Sequence, residues 1–517
     1  KISIKKVKTK KSKSKILILK TIIMKRVLLF LLTLITTTLF AQSGNVDLSF
    51  SGFNGTIKVT KIQPDGKMLL GGTFTSLNGF QQACLIRLNA DGTRDTSFTF
   101  GTNPTTNAVN LFVNAAQGDI DGTTPYVSVI TLQPDGKILI GGNFTHIGNY
   151  EITRRRILRI NANGTYDSTF TGWGFQNYPS VGVQPCKIKS IVLQPDGKIL
   201  VGGEFTLYFS TSPTSNTSVG RIVRINTNGS IDTTFNTGNG FNGPVNCIIV
   251  QPDNKIIVAG DFTDYNGSPE VKMARLESDG VRDYTYNTSD NLVNSPLKPK
   301  VLTLLPDGVS ALIGGDEFPY IMHIASNGAS YEQMNPHANN RVTGIVVKSD
   351  GKILISGDFT EYGQTSSNVS TQNRFVALNS DLSIDTNYNT GTGFNGLVES
   401  IQIDSNNKVW TSGEFTQYNG VNTTYAVRLN GNSTLSTVNY SKNKVTLYPN
   451  PAKDILNFTL SETNTAYEYE INNLLGEKVS YGNVNSNSIS IINLANGVYI
   501  VKIRTNEGVL TEKFIKE

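Results

Sequence analysis

Histidine is nearly missing from this 517-residue chain: His146, His323 and His337 are its only three. None lies in an HExxH motif or beside a Ser or Cys nucleophile elbow, so the familiar zinc-hydrolase and triad signatures are excluded. Cysteine is just as sparse. Cys84, Cys186 and Cys247 stand at unrelated spacing without a CxxC pair, which argues against a zinc site. They read as buried free thiols, with a Cys186–Cys247 bridge as the alternative open to an exported chain. No P-loop or GxGxxG follows a strand and opens a helix. The many Asp-Gly turns lack the D-x-D-x-D-G ladder and distal Glu of a calcium loop. No cofactor or metal is expected. Long apolar helical faces are missing too, which excludes a helical bundle.

The only sustained apolar run, Val27 to Ile35, is too short and mixed to favour a membrane span. With Lys25 and Arg26 before it and a Thr-rich stretch up to Ala41 after it, it reads as a signal peptide starting at Met24 and cut after Ala41. Residues 1–41 carry eleven Lys+Arg and no acid, so the processed chain has 35 basic against 40 acidic residues, net −5. The basic balance belongs to the leader, and nucleic acid is not an expected partner.

Glycine is abundant and short β-rich runs fill the middle. Gln63-Pro64-Asp65-Gly66-Lys67 recurs at Gln133 and Gln194, with degenerate copies from Gln251, Leu305, Lys348 and Asp404. Apolar runs flank each copy, so each reads as a hairpin whose Pro presets φ and whose Gly takes the positive φ. A second hairpin follows through Asp91-Gly92 to Asp95-Thr96-Ser97-Phe98 and its counterparts. Four short strands repeated seven times predict a seven-bladed β-propeller over residues 42–432. Phe74, Phe144, Phe205, Phe262, Phe318, Phe359 and Phe415 close the second strands and read as core between blades. The Gly pair before them, as in Gly141-Gly142, permits close backbone approach.

These phrases resemble delta-60 repeats, which are found in bacterial secreted proteins and are taken as propeller-like. The resemblance covers roughly residues 47–430 and implies no established catalytic residues. After a polar linker at 433–443, residues 444–517 read as a small β-sandwich. This segment resembles the type A C-terminal sorting domain of the type IX secretion system. Tyr448-Pro449-Asn450-Pro451 with Asp454, the turn at Gly476, Gly497 to Tyr499, and Lys513 carry that resemblance. It implies Sec export, passage across the outer membrane, and removal of the domain at the surface.

Three sets of residues are candidates for function. An acidic residue precedes the repeat Phe in five units: Glu204, Asp261, Glu317, Asp358 and Glu414. On one circle they could hold a cation or amine, or be solvated strand ends. Turns of an up-and-down blade alternate faces, so the variable loops share the face opposite the tight turns. On that face Trp173, Phe175, Tyr178 and Tyr208 could bind sugars or peptides, or pack the loops. Arg and Asp eight residues apart, as at Arg87/Asp95, predict cross-strand ion pairs. Asp47 lacks an Arg and Arg428 lacks an Asp. Residues 47–50 would therefore close the last blade beside residues 426–430, unless residues 433–438 complete it.

The expected function is a non-enzymatic, exported surface or secreted binding protein. The rival is a propeller lyase or hydrolase acting on glycans or lactones. The expected partners are the type IX machinery and an extracellular glycan or protein, with the chain acting as a monomer.

Overall fold

The computed structural model describes residues 43–100, 124–177, 186–330, 337–431 and 445–517, less a few loop positions within these ranges. They fall into two compact units, divided between 431 and 445. The leader, most of the 101–123 loop and the 433–438 alternative lie outside the described residues.

Among the described residues the first unit holds seven antiparallel blade sheets in chain order, six of them followed by a smaller outer sheet. Each begins with an inner strand: Ile57–Ile62, Val127–Leu132, Ile188–Leu193, Val245–Val250, Lys298–Leu304, Val342–Val347 and Val398–Ile403. Each inner strand touches the next, and the last touches the first, so the ring is closed around a central channel. The Pro-Asp-Gly turn joins inner to second strand; the Gly66 N–H donates to the Gln63 carbonyl, at a positive φ that glycine accepts.

The fourth strand differs from the sequence reading. In six sheets it shrinks to a single bridge, such as Leu88↔Arg94. In five of these the cause is local: an Asp carboxylate accepts the backbone N–H two residues on, as Asp95 does from Ser97, and bends the chain off the sheet. Among the described residues only the last blade sheet has four full strands. There Val46–Ser49 pairs with Ala426–Leu429, so the N-terminal segment supplies the outer strand of the C-terminal blade. Gly44 (φ +84°) takes the place that Gly92, Gly164, Gly229 and Gly280 hold in the tight turns of blades 1 to 4.

The core lies between blades rather than within them. Leu69 and Leu85 of the first blade share one cluster with Ile130, Ile138 and Phe144 of the second. The repeat Phe is buried in six blades, each worth about 1.5–3 kcal/mol of apolar transfer. Phe318 is the exception and corrects the sequence reading: it is 55 % exposed. The other six described blades carry a short outer hairpin after this position, such as Ser76–Leu77 with Phe80–Gln81. In the fifth blade the chain turns straight back at Glu317, through the Tyr320 N–H, and nothing equivalent covers the ring.

An ionic clasp repeats around the rim. Arg87, Arg159, Arg224 and Arg275 each donate Nε to the Asp eight residues on, at 2.6–2.7 Å. The motif lysines Lys67, Lys137, Lys198 and Lys255 reach the same oxygen at 2.7–3.1 Å. Each Arg also donates Nη1 to a turn carbonyl of the next blade, namely Ala162, Thr227, Ser278 and Ser326. The sixth blade keeps only Lys352 and Asp385. Burial alone would raise the carboxyls of Asp95, Asp167, Asp232 and Asp283. Hydrogen bonds from the Ser or Thr two residues on, the Lys and the Arg outweigh it and hold all four far below the usual carboxylate range. Such groups stabilise the fold above the unfolded-chain value of about 4 and lose that contribution as pH falls toward their folded values. The thermal midpoint should therefore stay flat from neutrality to about pH 4 and fall steeply below it. Asp167→Ala should lower stability by roughly 3 kcal/mol by stranding the buried Arg159, read from urea unfolding at pH 7.

The second unit is a sandwich of a three-stranded sheet and a four-stranded sheet. Leu447, Leu456 and Phe458 of the first meet Ile471, Val501, Ile503 and Phe514 of the second in one core.

Candidate functional site

All seven inner strands carry a bulge at the same place. The register slips between Ile57 and Val59, Val127 and Val129, Ile188 and Ser190, and so on around the ring. The skipped residues are Lys58, Ser128, Lys189, Asn246, Lys300, Thr343 and Glu399, and all seven line one cavity of about 360 Å³. A bulge turns a side chain off the sheet, here toward the channel. The cavity lies at the start of the inner strands, opposite the tight turns, hence on the loop-bearing face.

The neutral bulge residues staple blades together. Ser128 donates to the Ile188 carbonyl, Asn246 to that of Pro299 and Thr343 to that of Val398. The charged ones are held in pairs: Lys58 with Glu399 at 3.3 Å, Lys189 with Glu204 at 2.8 Å, Lys300 with Asp316 at 3.1 Å. Arg341 lies 3.5 Å from Asp358, just outside the inner strand of the sixth blade. Tyr126 completes the rim, with Lys58 above its ring at 5.6 Å. Lys187 also lines the cavity and has no side-chain partner among the described residues.

The acidic candidates sit on this same face, but four of the five are engaged rather than open to a cation. Glu204 and Asp358 pair as above, and Arg374 also reaches Asp358 at 3.2 Å. Glu317 pairs with Lys298 at 3.1 Å, and Asp261 accepts the Asn246 amide at 3.0 Å. Glu414 is exposed and unpaired among the described residues. The sequence shows the acids in phase, but their Lys, Arg and Asn partners stand elsewhere in the blades.

The aromatic candidates are corrected more sharply. Phe175 and Tyr208 are fully buried, not displayed. Phe175 packs on Phe205 at 4.2 Å and on Tyr208 at 4.8 Å. The same arrangement holds Phe241 on Phe262 and Tyr265, and Phe394 on Phe415 and Tyr418. The Tyr208 hydroxyl donates to the Gly229 carbonyl, as Tyr265 does to Gly280 and Tyr418 to Gly44. The signal was present: Phe-Asn-Gly recurs at Phe53, Phe241 and Phe394, so these rings belong to the repeat. Trp173 is half-buried, its N–H bonded to the Phe209 carbonyl. Tyr178 lies outside the described residues.

The bulge residues were missed by sequence reading, yet they leave a trace. Apolar residues three apart, Ile188 and Ile191 or Val398 and Ile401, break the two-residue period of a strand where one residue is looped out. The cysteines take no part: all three are buried free thiols, and burial pushes Cys84 and Cys247 up to about 12.

At the ring's seam, Arg428 donates Nε to Asp47, and Lys408 lies 3.0 Å from the same carboxylate. In the second unit, Asn450 accepts the Ile515 N–H and donates to the Lys513 carbonyl, tying the Tyr448-Pro449-Asn450-Pro451 turn to the last strand. The Asp454 carbonyl accepts the Ile491 N–H, and Gly497 opens the strand that carries Tyr499. Tyr499 stacks on Phe514 at 5.6 Å and donates to the Ala495 carbonyl. Gly476 lies outside the described residues.

Residues 63–98, 133–170, 194–235, 251–286, 348–388 and 405–435 match the β-propeller domain of unknown function DUF5122, and residues 446–517 match the secretion system C-terminal sorting domain. The chain carries six DUF5122 β-propeller repeats and a C-terminal sorting domain. The fifth blade of this propeller, which has lost the clasp and the outer hairpin, is the one unit without a match. The sorting domain marks the protein for export by the type IX secretion system, to the cell surface or the medium. Among solved structures, the chain is similar to PorZ, a bacterial surface component of the type-IX secretion system of Porphyromonas gingivalis, at 12 % identity and TM-score 0.40. That match covers 91 % of this chain and 60 % of PorZ. It is similar to a streptogramin B lyase at 14 % identity and TM-score 0.39, covering 76 % of this chain and 98 % of the lyase. The WD40 propeller of Doa1 matches at 12 % and 0.39, covering 75 % and 97 %. No curated protein matches the chain.

Proposed function

We propose that this DUF5122 propeller is a non-enzymatic binding protein of the cell surface or medium, and that its ligand seats at the channel mouth on the loop-bearing face. One observation carries the reading: seven bulges, one per blade, aim chemically different side chains into a single cavity on a scaffold that otherwise repeats itself. Four of the acids there already face a cation or an amide, an arrangement suited to recognition rather than to holding an acid and a base apart for catalysis. A glycan and peptide array probed with the exported protein tests this. Retention of array ligands that is lost on changing mouth residues supports it. Cleavage or elimination products released from the array would favour the lyase or hydrolase reading instead.

Export rests on the second unit. Deleting residues 445–517 should leave a folded propeller in the periplasm, since the two units have separate cores. Cell fractionation with an antibody to the propeller checks this, and normal surface or medium levels after the deletion would overturn it.

A further inference from the structure

The charge at the mouth is distributed unevenly. Five cations line the cavity: Lys58, Lys187, Lys189, Lys300 and Arg341. Only two carboxylates, Asp316 and Glu399, share that lining. Glu204 and Asp358, which pair with Lys189 and Arg341, are not part of it, so they stand behind the cations. A ligand entering the cavity therefore meets positive charge first. Each lysine ammonium has three donors and spends one or two of them on its partners. Lys187 spends none among the described residues.

Neutral polar groups, two hydroxyls and one amide, alternate with these cations. Going round the ring from the first blade, Lys58, Ser128 and Lys189 are followed by Asn246, Lys300 and Thr343. Ser128 and Thr343 give their hydrogens to carbonyls of the next blade, which leaves their oxygens as acceptors. The mouth thus offers donors for an anion and acceptors for hydroxyl groups at adjacent stations, within a space of about 360 Å³. A neutral sugar would leave Lys187 without a counter-charge. A peptide C-terminus brings the carboxylate without the neighbouring hydroxyls. A sugar acid carries both on one ring.

We propose that the channel mouth binds a carboxylate-bearing sugar, the uronic acid unit of an acidic glycan. Its carboxylate is held by Lys187 with Arg341 or Lys189, and its hydroxyl groups donate to Ser128 and Thr343. The inference rests on the channel-mouth reading and specifies its ligand class.

The test is calorimetric titration of the full-length exported protein with a galacturonate trimer, beside a neutral galactose trimer and a peptide ending in a free carboxylate. The expected result is binding of the galacturonate trimer alone. It should weaken about tenfold or more from 20 to 200 mM salt, because charge-assisted contacts are screened. Lys187→Ala and Lys189→Ala should each weaken it about tenfold, the worth of one charge-assisted contact, and the thermal midpoint of Lys187→Ala should be unchanged. Lys187→Arg should restore most of the loss. Equal binding of the galactose trimer, selective binding of the peptide, or no galacturonate binding would each overturn the acidic-sugar assignment. If those other ligands are lost on Lys187→Ala, the mouth still binds and only the class was wrong. Galacturonate binding insensitive to both alanine variants would overturn the site itself.

Discussion

Gly260→Ala should prevent the propeller from folding, or cost about 4 kcal/mol or more if it folds at all. A Cβ at this position would lie 2.1 Å from the Pro244 carbonyl oxygen and 3.0 Å from the Val245 Cα. Both are backbone atoms at the entry to the bulged inner strand, so no rotamer relieves the clash. The second residue of the pair is glycine in every blade: Gly72, Gly142, Gly203, Gly260, Gly315, Gly357 and Gly413. In six of them the added carbon would lie 1.9–2.2 Å from a carbonyl oxygen, and at Gly413 the distance is likewise 2.1 Å. The first position obeys a different rule. There the added carbon meets a side chain, as Gly141 meets Ile188 Cγ2 at 2.7 Å, and blades four, six and seven already hold Ala259, Ser356 and Ser412. Gly141→Ala should therefore cost only about 1–3 kcal/mol, the ordinary range for overpacking. Urea unfolding of the two variants side by side checks the contrast. Equal destabilisation would show that the bulge does not dictate the second glycine.

Removing residues 43–50 should open the ring. This segment supplies the outer strand of the seventh blade, the Asp47 partner of Arg428 and Lys408, and the Phe50 ring buried against Trp410 at 5.7 Å. Phe50 alone should contribute about 3–5 kcal/mol by the usual cost of emptying such a site. The deletion also bares the edge of Ala426–Leu429, and an unpaired apolar strand edge invites pairing between molecules. The expected result is a large fall in the thermal midpoint together with concentration-dependent aggregation by size-exclusion chromatography. Asp47→Asn is the milder counterpart. It keeps the strand and removes the charge, so it should cost about 1 kcal/mol at this partly exposed pair and leave the protein monodisperse. A deletion no worse than Asp47→Asn would mean that the seam holds without the N-terminal strand.

The hairpins, their turn glycines and the ion pairs were legible because each is local. Arg159 and Asp167 are eight residues apart, and the turn between them sets them opposite each other. The orphaned Asp47 and Arg428 were also visible, as the two halves of one missing pair. Other features were hidden for physical reasons. The motif lysines read as turn residues, yet Lys198 crosses to Asp232, a contact that needs the second and third strands paired. Phe175 and Tyr208 stand in a variable loop, where an aromatic side chain suggests display. The fold shows a core layer under that loop, which the Phe-Asn-Gly phrase of other blades marks only indirectly because Phe175 lacks the Asn-Gly that follows it there. Phe318 kept the repeat spelling after its blade had lost the hairpin that covers it.

By itself the sequence determined the all-β class, the propeller repeat, the separate terminal domain and the export route. These follow from short-range rules of turn, strand and packing that every blade must satisfy, so they recur and can be read. Only the tertiary structure decided what surrounds the channel. The mouth gathers Lys58, Lys189 and Glu399 from strands up to 341 positions apart. Nothing in the packing requires those residues to repeat: the bulge fixes where the side chain goes, and each blade is free to choose which side chain it is.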